Sequence, residues 1–330
     1  SVAIPQLEND KYFFLCAATC DFGYYDIPNF QSGAEELLFT PDAGAIATFN
    51  SARLVFAGQN NSLNYVLMAN LLELPRESLN LPVSIGYSVF RTKMNRFSVN
   101  DQKFHLLGDP TLRLLIPQYF GNIDSLNGQV LDSLFQLKAL SDTRIAGTIL
   151  KPDSSKWNDY NGEGILTVYD SERIKLLEEI DNYPMVIPGG VIFKGRVSVN
   201  NGEFNAQFVV PKDIIYENKN GKILFYFLNG FSDGLAFSNQ IVVGGTDSTA
   251  VNDGEGPEIE IFFDDASYYN AYLVGPDPDL IIKLSDETGL NVTGTGVGHK
   301  LEGILNEDEG NPIDFTEFFT GELDAGGKRG

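Results

Sequence analysis

The sequence changes character near residue 117, and this change constrains the fold more than any other feature. Up to that point short apolar runs alternate with amphipathic segments, a pattern typical of an α/β layer with a mostly parallel sheet. Beyond it the chain turns to β-prone runs separated by Asn, Asp and Gly. We therefore expect an α/β domain over residues 1–117, an immunoglobulin-like β-sandwich over 118–250, and a second, incomplete β-sandwich unit over 251–330.

Local signals place the elements of the first region. Ser32 followed by Glu35 has the spacing of a capping box and predicts a helix start, with Leu37 and Leu38 on its buried side. Apolar periodicity predicts the remaining elements. Strands are expected at residues 12–19, 45–49 and 111–116, and further helices at 63–72 and about 83–96.

The second region has the pattern of an all-β chain. Strands are expected at residues 143–150, 164–169, 190–197, 204–210 and 223–227. The run Asn200-Asn201-Gly202 is typical of a hairpin turn. A turn-rich stretch over 244–257 predicts a linker, and the alternation of residues 258–263 predicts the first strand of the last unit.

Composition excludes some classes of function. With 43% hydrophobic residues the chain of 330 residues can form a substantial core, and its formal charge of −22 would repel a phosphate backbone, so nucleic acid is not expected as a partner. No apolar run reaches the roughly 20 residues that span a bilayer. Both ends have the pattern of internal sequence, so we expect a fragment of a longer protein, whose targeting signals would lie elsewhere.

The two cysteines have different predicted roles. Their spacing of four along a strand separates them by roughly 13 Å, too far for a disulfide, so Cys16 and Cys20 are expected to be free thiols. Cys20 falls where the first strand ends and a loop begins, the edge at which open α/β sheets collect catalytic groups. By position alone it is either a nucleophile or a small buried side chain. Cys16, inside the strand, is expected to be structural.

Histidines and acidic clusters are weaker candidates. His105 lies in an apolar run before a Gly-Asp-Pro turn and is expected to be a partly buried structural residue, and His299 lies in the last β unit. Carboxylates offer oxygen ligands to calcium, but no run has the pattern of a calcium loop, so solvated charge is the preferred interpretation. We expect neither a metal site nor a cofactor. The acidic residues considered are Asp264, Asp265, Asp277, Asp279, Glu307, Asp308 and Glu309.

Several motifs, taken in order, carry a family resemblance. They are residues 17–23 (AATCDFG), 32–38 (SGAEELL), 44–47 (GAIA), 51–55 (SARLV) and 107–114 (LGDPTLRL). Together they resemble the C-terminal half of the gingipain-like cysteine peptidase domain, over about residues 10–117. Residues 253–259 (DGEGPEI) and 294–299 (GTGVGH) extend the likeness into the β region.

The resemblance implies a caspase-like fold in which the nucleophilic cysteine follows one strand and a histidine follows the preceding strand. Cys20 occupies the position of that nucleophile. A thiol needs a nearby base or a lowered pKa to act at neutral pH. No histidine precedes Cys20 in this sequence, so the catalytic histidine is expected upstream of Ser1 and the chain alone is expected to be inactive.

Within the family the likeness is to its sortase members, which serve the bacterial type IX secretion system. This implies a protein at the cell surface, associated with the outer membrane, that removes C-terminal signal domains from secreted cargo. It also implies surface lipopolysaccharide as acyl acceptor and an outer-membrane barrel partner of the PorV type. Two alternatives stay open: a non-catalytic surface scaffold or adhesion protein with an inert caspase-like half, and a secreted gingipain-like protease.

Overall fold

The computed structural model describes residues 4–9, 11–72, 81–178, 182–250, 254–266, 273–291 and 301–330. Contacts within the chain divide it into two units, Ser1–Gln118 and Tyr119–Gly330. The first unit has a 3₁₀ turn at Ile4–Gln6, strands β1 Phe13–Cys16, β2 Ala45–Ser51 and β3 Phe104–Gly108, and helices α1 Gly33–Phe39, α2 Ala57–Leu72, α3 Ile85–Asn95 and α4 Val99–Gln102.

Helix α1 begins where the sequence predicts. Ser32 is its N-cap, and the Glu35 backbone N–H donates to Ser32 Oγ at 3.4 Å. In return the Glu35 carboxylate accepts from the Ser32 backbone N–H at 2.9 Å, which completes the capping box. The predicted capping box is confirmed.

A three-stranded sheet in the order β1-β2-β3 forms the centre of the first unit. Strand β1 runs parallel to β2, as expected, whereas β3 runs antiparallel to β2. Helix α2 covers the sheet with Leu63, Leu67 and Leu71, which recur every four residues and are buried. They pack with Phe49 of β2 and Phe104 of β3, whose rings stack with centroids 5.5 Å apart.

The prediction of a strand at residues 111–116 is wrong. The strand pairing with β2 lies earlier, at β3, in the run that we expected only to approach the turn. Gly108 has a φ of +119°, and the Thr111 N–H donates to Asp109 Oδ1 at 2.8 Å, so the chain turns away after β3. Between the turn and Gln118 the structure has a single isolated bridge, between Arg113 and Ser84.

The second unit is mostly β. Its first strands, in chain order, are β4 Tyr119–Leu126, β5 Gln129–Val130, β6 Phe135–Ala139, β7 Asp142–Ile149, β8 Gly162–Tyr169, β9 Arg173–Leu177 and β10 Tyr183–Ile187. They are followed by β11 Val191–Asn200, β12 Glu203–Val209, β13 Lys219–Leu228, β14 Asp233–Thr246, β15 Glu258–Phe263, β16 Leu280–Ser285, β17 Glu302–Gly303 and β18 Ile313–Asp314, and by a 3₁₀ turn at Thr316–Phe318. The five strands expected between residues 143 and 227 are present.

Seven of these strands close on themselves, which corrects the expected β-sandwich. The order is β4-β7-β12-β11-β8-β13-β14, and β14 pairs in parallel with β4, so hydrogen bonds run around one closed sheet rather than two facing ones. The closure depends on the length of β14, because this strand pairs along its course with β13, β4 and β6. The same length corrects the expected linker, whose residues 244–246 belong to β14.

The closed sheet encloses an aromatic core. Inward and outward side chains alternate along β7 and β12, as the period of a strand requires. Phe204 stacks on Phe225 with centroids 3.9 Å apart, and Phe193 stacks on Phe208 at 4.2 Å. The expected hairpin turn joins β11 to β12, with a φ of +52° at Asn201 and +72° at Gly202.

The C-terminal stretch of the second unit contacts the outside of the closed sheet. Asp324 accepts a hydrogen bond from the Ser198 N–H at 2.9 Å, and its own N–H donates to the Arg196 carbonyl at 3.0 Å. The Asn291 amide donates to the Asp213 carboxylate at 2.7 Å. The expected division into two β domains at residue 250 stays a prediction.

Candidate functional site

Cys20 lies in the loop that leaves the carboxyl end of β1. That strand ends at Cys16, earlier than expected, and the Ala17 N–H still donates to the Phe49 carbonyl of β2 at 2.9 Å. Cys20 itself is exposed. Because β1 and β2 are parallel, the loops that follow them leave from the same edge of the sheet, and the Cys20 sulfur lies against the loop after β2.

The partner of the Cys20 sulfur is the backbone of Val55. The Val55 N–H donates to Sγ at 3.4 Å, and the thiol donates to the Val55 carbonyl oxygen at 3.2 Å. Within the part of the chain that the structure describes, Cys20 has hydrogen bonds with Val55 alone. The sulfur is thus anchored to backbone and stays open to solvent.

Cys16 has the opposite environment. Its thiol donates to Asn64 Oδ1 of helix α2 at 2.7 Å, and its side chain packs against the apolar cluster of the first unit. Burial raises the pKa of the Cys16 thiol to about 12, so the thiol stays protonated at neutral pH. Both cysteines are free, as expected, and Cys16 is structural.

The loop after Cys20 is held at Phe22 and Gly23. Asp21 has a left-handed φ of +58°, and the Ala34 N–H at the start of helix α1 donates to the Phe22 carbonyl at 3.1 Å. The buried Gly23 donates its N–H to the Ser51 carbonyl at the end of β2, at 3.0 Å. These two hydrogen bonds fix the start of the loop against helix α1 and the end of β2.

A charged pair joins this loop to the loop after β2. The Arg53 guanidinium donates two hydrogen bonds to the Asp26 carboxylate, at 3.0 and 2.5 Å, and lies over the ring of Tyr24, 5.8 Å from its centroid. The hydrogen bond from Arg53 lowers the pKa of Asp26 below its ordinary value. A hydrogen bond with Asp21 raises the pKa of Tyr24.

His105 lies under the loop. It is half-buried on β3, directly across from Asn50 of β2, and the Tyr25 ring meets its imidazole edge-on with centroids 4.6 Å apart. Burial lowers its pKa below the ordinary value, so the ring is neutral at pH 7, and the ring also has a hydrogen bond with the Lys103 backbone. This is the partly buried histidine that the sequence predicts. His299 lies outside the described residues.

Sequence reasoning singled out Cys20 but missed the residues around it. Arg53 and Val55 were noted only as parts of a motif, and Asp26 and Asn50 had no signal of their own. Their roles come from contacts between loops that are separated in the sequence. The motif at 51–55, which lies after a predicted strand as Cys20 does, was the one available indication.

The described residues contain no group of three His, Cys, Asp or Glu side chains arranged to hold a metal ion. The acidic residues weighed as calcium ligands, from Asp264 to Glu309, are exposed. Among the described helices none is both long and apolar enough to cross a membrane.

Comparison with known proteins gives one family match. Residues 1–115 match the model of peptidase family C25. A search of curated proteins finds no match to this chain.

Among solved structures, dimeric latent PorU from Porphyromonas gingivalis is 23% identical with a TM-score of 0.47, over 86% of this chain and 28% of that one. The complex of the RgpB pro- and mature domains from the same organism gives 15% and 0.29, over 73% of this chain and 49% of that one. Spo0M of Bacillus subtilis, a sporulation control protein, gives 12% and 0.26, over 50% and 66%. The chain thus spans little more than a quarter of the PorU chain.

Proposed function

Because residues 1–115 belong to peptidase family C25, the gingipain family, we propose that this chain is part of a cysteine peptidase in which Cys20 is the nucleophile. One observation carries the assignment: within the matched segment Cys20 is an exposed thiol at the carboxyl end of a sheet strand, next to a loop from the neighbouring parallel strand. The other cysteine, Cys16, is half-buried and hydrogen-bonded to Asn64, and burial raises its pKa, so it is a poor candidate for the nucleophile.

The chemistry is acyl transfer through a thioester. The Cys20 thiolate attacks the carbonyl carbon of the scissile peptide bond, the carbon–nitrogen bond breaks, and the amine of the C-terminal fragment leaves with a proton. Water or a second amine then attacks the thioester and regenerates the thiol. We assign the general base to the histidine that the family resemblance implies upstream of Ser1. His105 is not that base, because its unpartnered nitrogen faces Gly23.

The finer proposal is a sortase of the type IX secretion system at the bacterial cell surface. The motif likeness described above supports it. The substrates would be secreted proteins with C-terminal signal domains, the acyl acceptor an amine of surface lipopolysaccharide, and the partner an outer-membrane protein of the PorV type. The formal charge of −22 supports the absence of nucleic acid from this set.

The test uses the whole protein that contains this chain, a cargo with a C-terminal signal domain, and biotin-cadaverine as the amine. We expect release of the signal domain and biotin on the new C-terminus of the cargo. Cys20→Ala should abolish both products, and Cys16→Ser, which keeps a hydrogen-bond donor toward Asn64, should leave both.

The other outcomes separate the alternatives. Cleavage without biotin on the cargo would support a secreted gingipain-like protease and overturn the sortase proposal. Cleavage that survives Cys20→Ala would overturn the assignment of the nucleophile. A protein with intact Cys20 that cleaves neither this cargo nor a general protein substrate would leave the scaffold and adhesion alternative.

A further inference from the structure

Gly23, three residues after Cys20, rests directly on two polar side chains. A Cβ added at Gly23 would lie 1.5 Å from Asn50 Oδ1 and 3.2 Å from His105 Nε2. Because glycine has no Cβ, the backbone at Gly23 can approach Asn50 Oδ1 closely. Any larger residue at position 23 would displace the loop or the Asn50 side chain.

Asn50 and His105 both direct an unpartnered atom at this point. Asn50 is fully buried, and its amide nitrogen donates to Thr48 Oγ1 at 2.7 Å, but its Oδ1 has no hydrogen-bond partner among the described residues. The same holds for Nε2 of His105, which lies across from Asn50 in the β2–β3 register. Buried polar atoms are rarely left in this state, and those that are need an explanation.

The contacts of the loop connect this pair to the thiol. Gly23 is tied to β2 by its hydrogen bond to the Ser51 carbonyl, and Tyr25 packs its ring edge-on against His105. Cys20, at the start of the same loop, has its sulfur against Val55. A change in the distance of Gly23 from the sheet would therefore also move the Cys20 sulfur, which lies three residues earlier in the same loop.

We infer that Asn50 and His105 are positioning residues: together they fix the height of the loop at Gly23 and thereby the place of the Cys20 sulfur beside Val55. The inference rests on the proposed function for its catalytic consequence. The paired strands β2 and β3 are a rigid support, whereas the loop has no regular structure of its own. Asn50 Oδ1 and His105 Nε2 form the surface against which Gly23 packs. An apolar side chain in place of Asn50 or His105 would change the shape and polarity of that surface.

The first test compares Gly23→Ala with Gly58→Ala in the whole protein. Gly58, in the first turn of helix α2, has no atom within 4 Å of an added Cβ, so the same substitution there leaves the loop alone. We expect Gly23→Ala to lower kcat by about 10²-fold with little change in KM, the loss that follows a misplacement of about 1 Å. Gly58→Ala should change neither. A Gly23→Ala enzyme with the kcat of the unsubstituted protein would overturn the inference.

The second test compares His105→Gln with His105→Phe by iodoacetamide labelling of Cys20, with the melting temperature measured in parallel. Gln places a polar amide near the position of Nε2, and Phe keeps a ring against Tyr25 but removes the nitrogen. We expect labelling at the normal rate in His105→Gln and several-fold slower labelling in His105→Phe, although both are folded. A His105→Phe protein with a lower melting temperature and normal labelling would mean a merely structural role and would overturn the inference.

Labelling needs no turnover, so this test is independent of the proposed function. Failure of the proposed function appears instead as substrate cleavage that survives Cys20→Ala, or as no cleavage by the intact protein.

Discussion

The sulfur of Cys20 lies between the N–H and the carbonyl of a single residue, Val55, at 3.4 and 3.2 Å. The two residues belong to different loops, which leave the same edge of the sheet because β1 and β2 are parallel. The position of the thiol therefore depends on the register of these strands, in which Cys16 lies beside Phe49. The loops and the sheet together, rather than a local motif, place the candidate nucleophile.

The two thiols should differ in reactivity. We expect iodoacetamide to label Cys20 at neutral pH much faster than Cys16, because Cys20 is exposed whereas burial raises the pKa of Cys16 to about 12. Mass spectrometry of the labelled peptides gives both rates in one sample, so Cys16 is the internal control. Equal rates would contradict the described environments.

The ion pair between Asp26 and Arg53 should be visible in a titration. Because the Arg53 guanidinium stabilises the charged carboxylate, the carboxyl of Asp26 should titrate below its ordinary value. In NMR titrations Arg53→Gln should move the midpoint back up, and Arg173→Gln, on the exposed strand β9, should not. A midpoint unchanged by Arg53→Gln would mean that the pair does not persist in solution.

His105 should make the first unit less stable in mild acid. Its folded pKa lies below its ordinary value because of burial, so the unfolded chain binds the proton more tightly. The stability that neutral His105 contributes is present above about pH 6.5 and is lost as the pH falls toward the folded pKa. Comparing urea unfolding of the unsubstituted protein and His105→Gln at about pH 7.5 and about pH 5.5 isolates this contribution. The unsubstituted protein should lose more stability than His105→Gln between these two pH values, and equal losses would contradict the buried neutral ring.

Helix α2 should stabilise the first unit through its buried leucines. Leu67 is fully buried in the cluster with Phe49 and Phe104, so Leu67→Ala should lower the free energy of unfolding by about 2–5 kcal/mol. Tyr65 on the same helix is 76% exposed, and Tyr65→Ala should change it by no more than about 0.5 kcal/mol. Urea unfolding followed by the helical circular dichroism signal measures both. Similar losses would mean that α2 does not pack as described.

The β11–β12 turn should need glycine both for its left-handed backbone and for its lack of a side chain. Gly128, in the turn between β4 and β5, is the control for the first requirement alone. Gly128 and Gly202 both have a left-handed φ, of +77° and +72°, but an added Cβ would meet nothing at Gly128 and would lie 2.2 Å from the Trp157 carbonyl oxygen at Gly202. Gly128→Ala should therefore cost only the backbone strain, roughly 1–3 kcal/mol. Gly202→Ala should cost more in denaturant unfolding, and an equal loss would show that the Trp157 backbone can yield.

Local features of the fold could be predicted from the sequence. The capping box of Ser32 and Glu35 is decided within one helical turn, and the Asn201-Gly202 turn by residues that accept a positive φ. The predicted start of helix α2 is six residues too late, because its first turn, with Gly58 and polar residues, has no apolar periodicity. That turn is held instead by tertiary contacts such as the hydrogen bond that the Asn100 side-chain amide donates to Asn60 Oδ1, at 3.0 Å.

Features that depend on distant pairings could not be predicted. The alternation of polar and apolar residues along a strand indicates which side chains face a core, but it is the same in two facing sheets and in one closed sheet. The pairing of β14 with β4 therefore could not be predicted from the sequence. The site shows the same division. The sequence indicated Cys20 because this residue follows a predicted strand. The contacts with Val55 and the pairing of Asn50 with His105 could not be predicted, because they arise only when three strands lie side by side.

The closure of the seven-stranded sheet also sets the order in which the second unit can form during synthesis. Strand β14 is the last of the seven along the chain, yet it completes the hydrogen bonding of β4, the first. Until the ribosome has released residues up to Thr246, the nascent chain carries two open strand edges, on β4 and β13, at which misfolding or association with other chains can begin. Joining the first strand to the last is a slow step, since the ends of a long loop must meet before the pairing stabilises them.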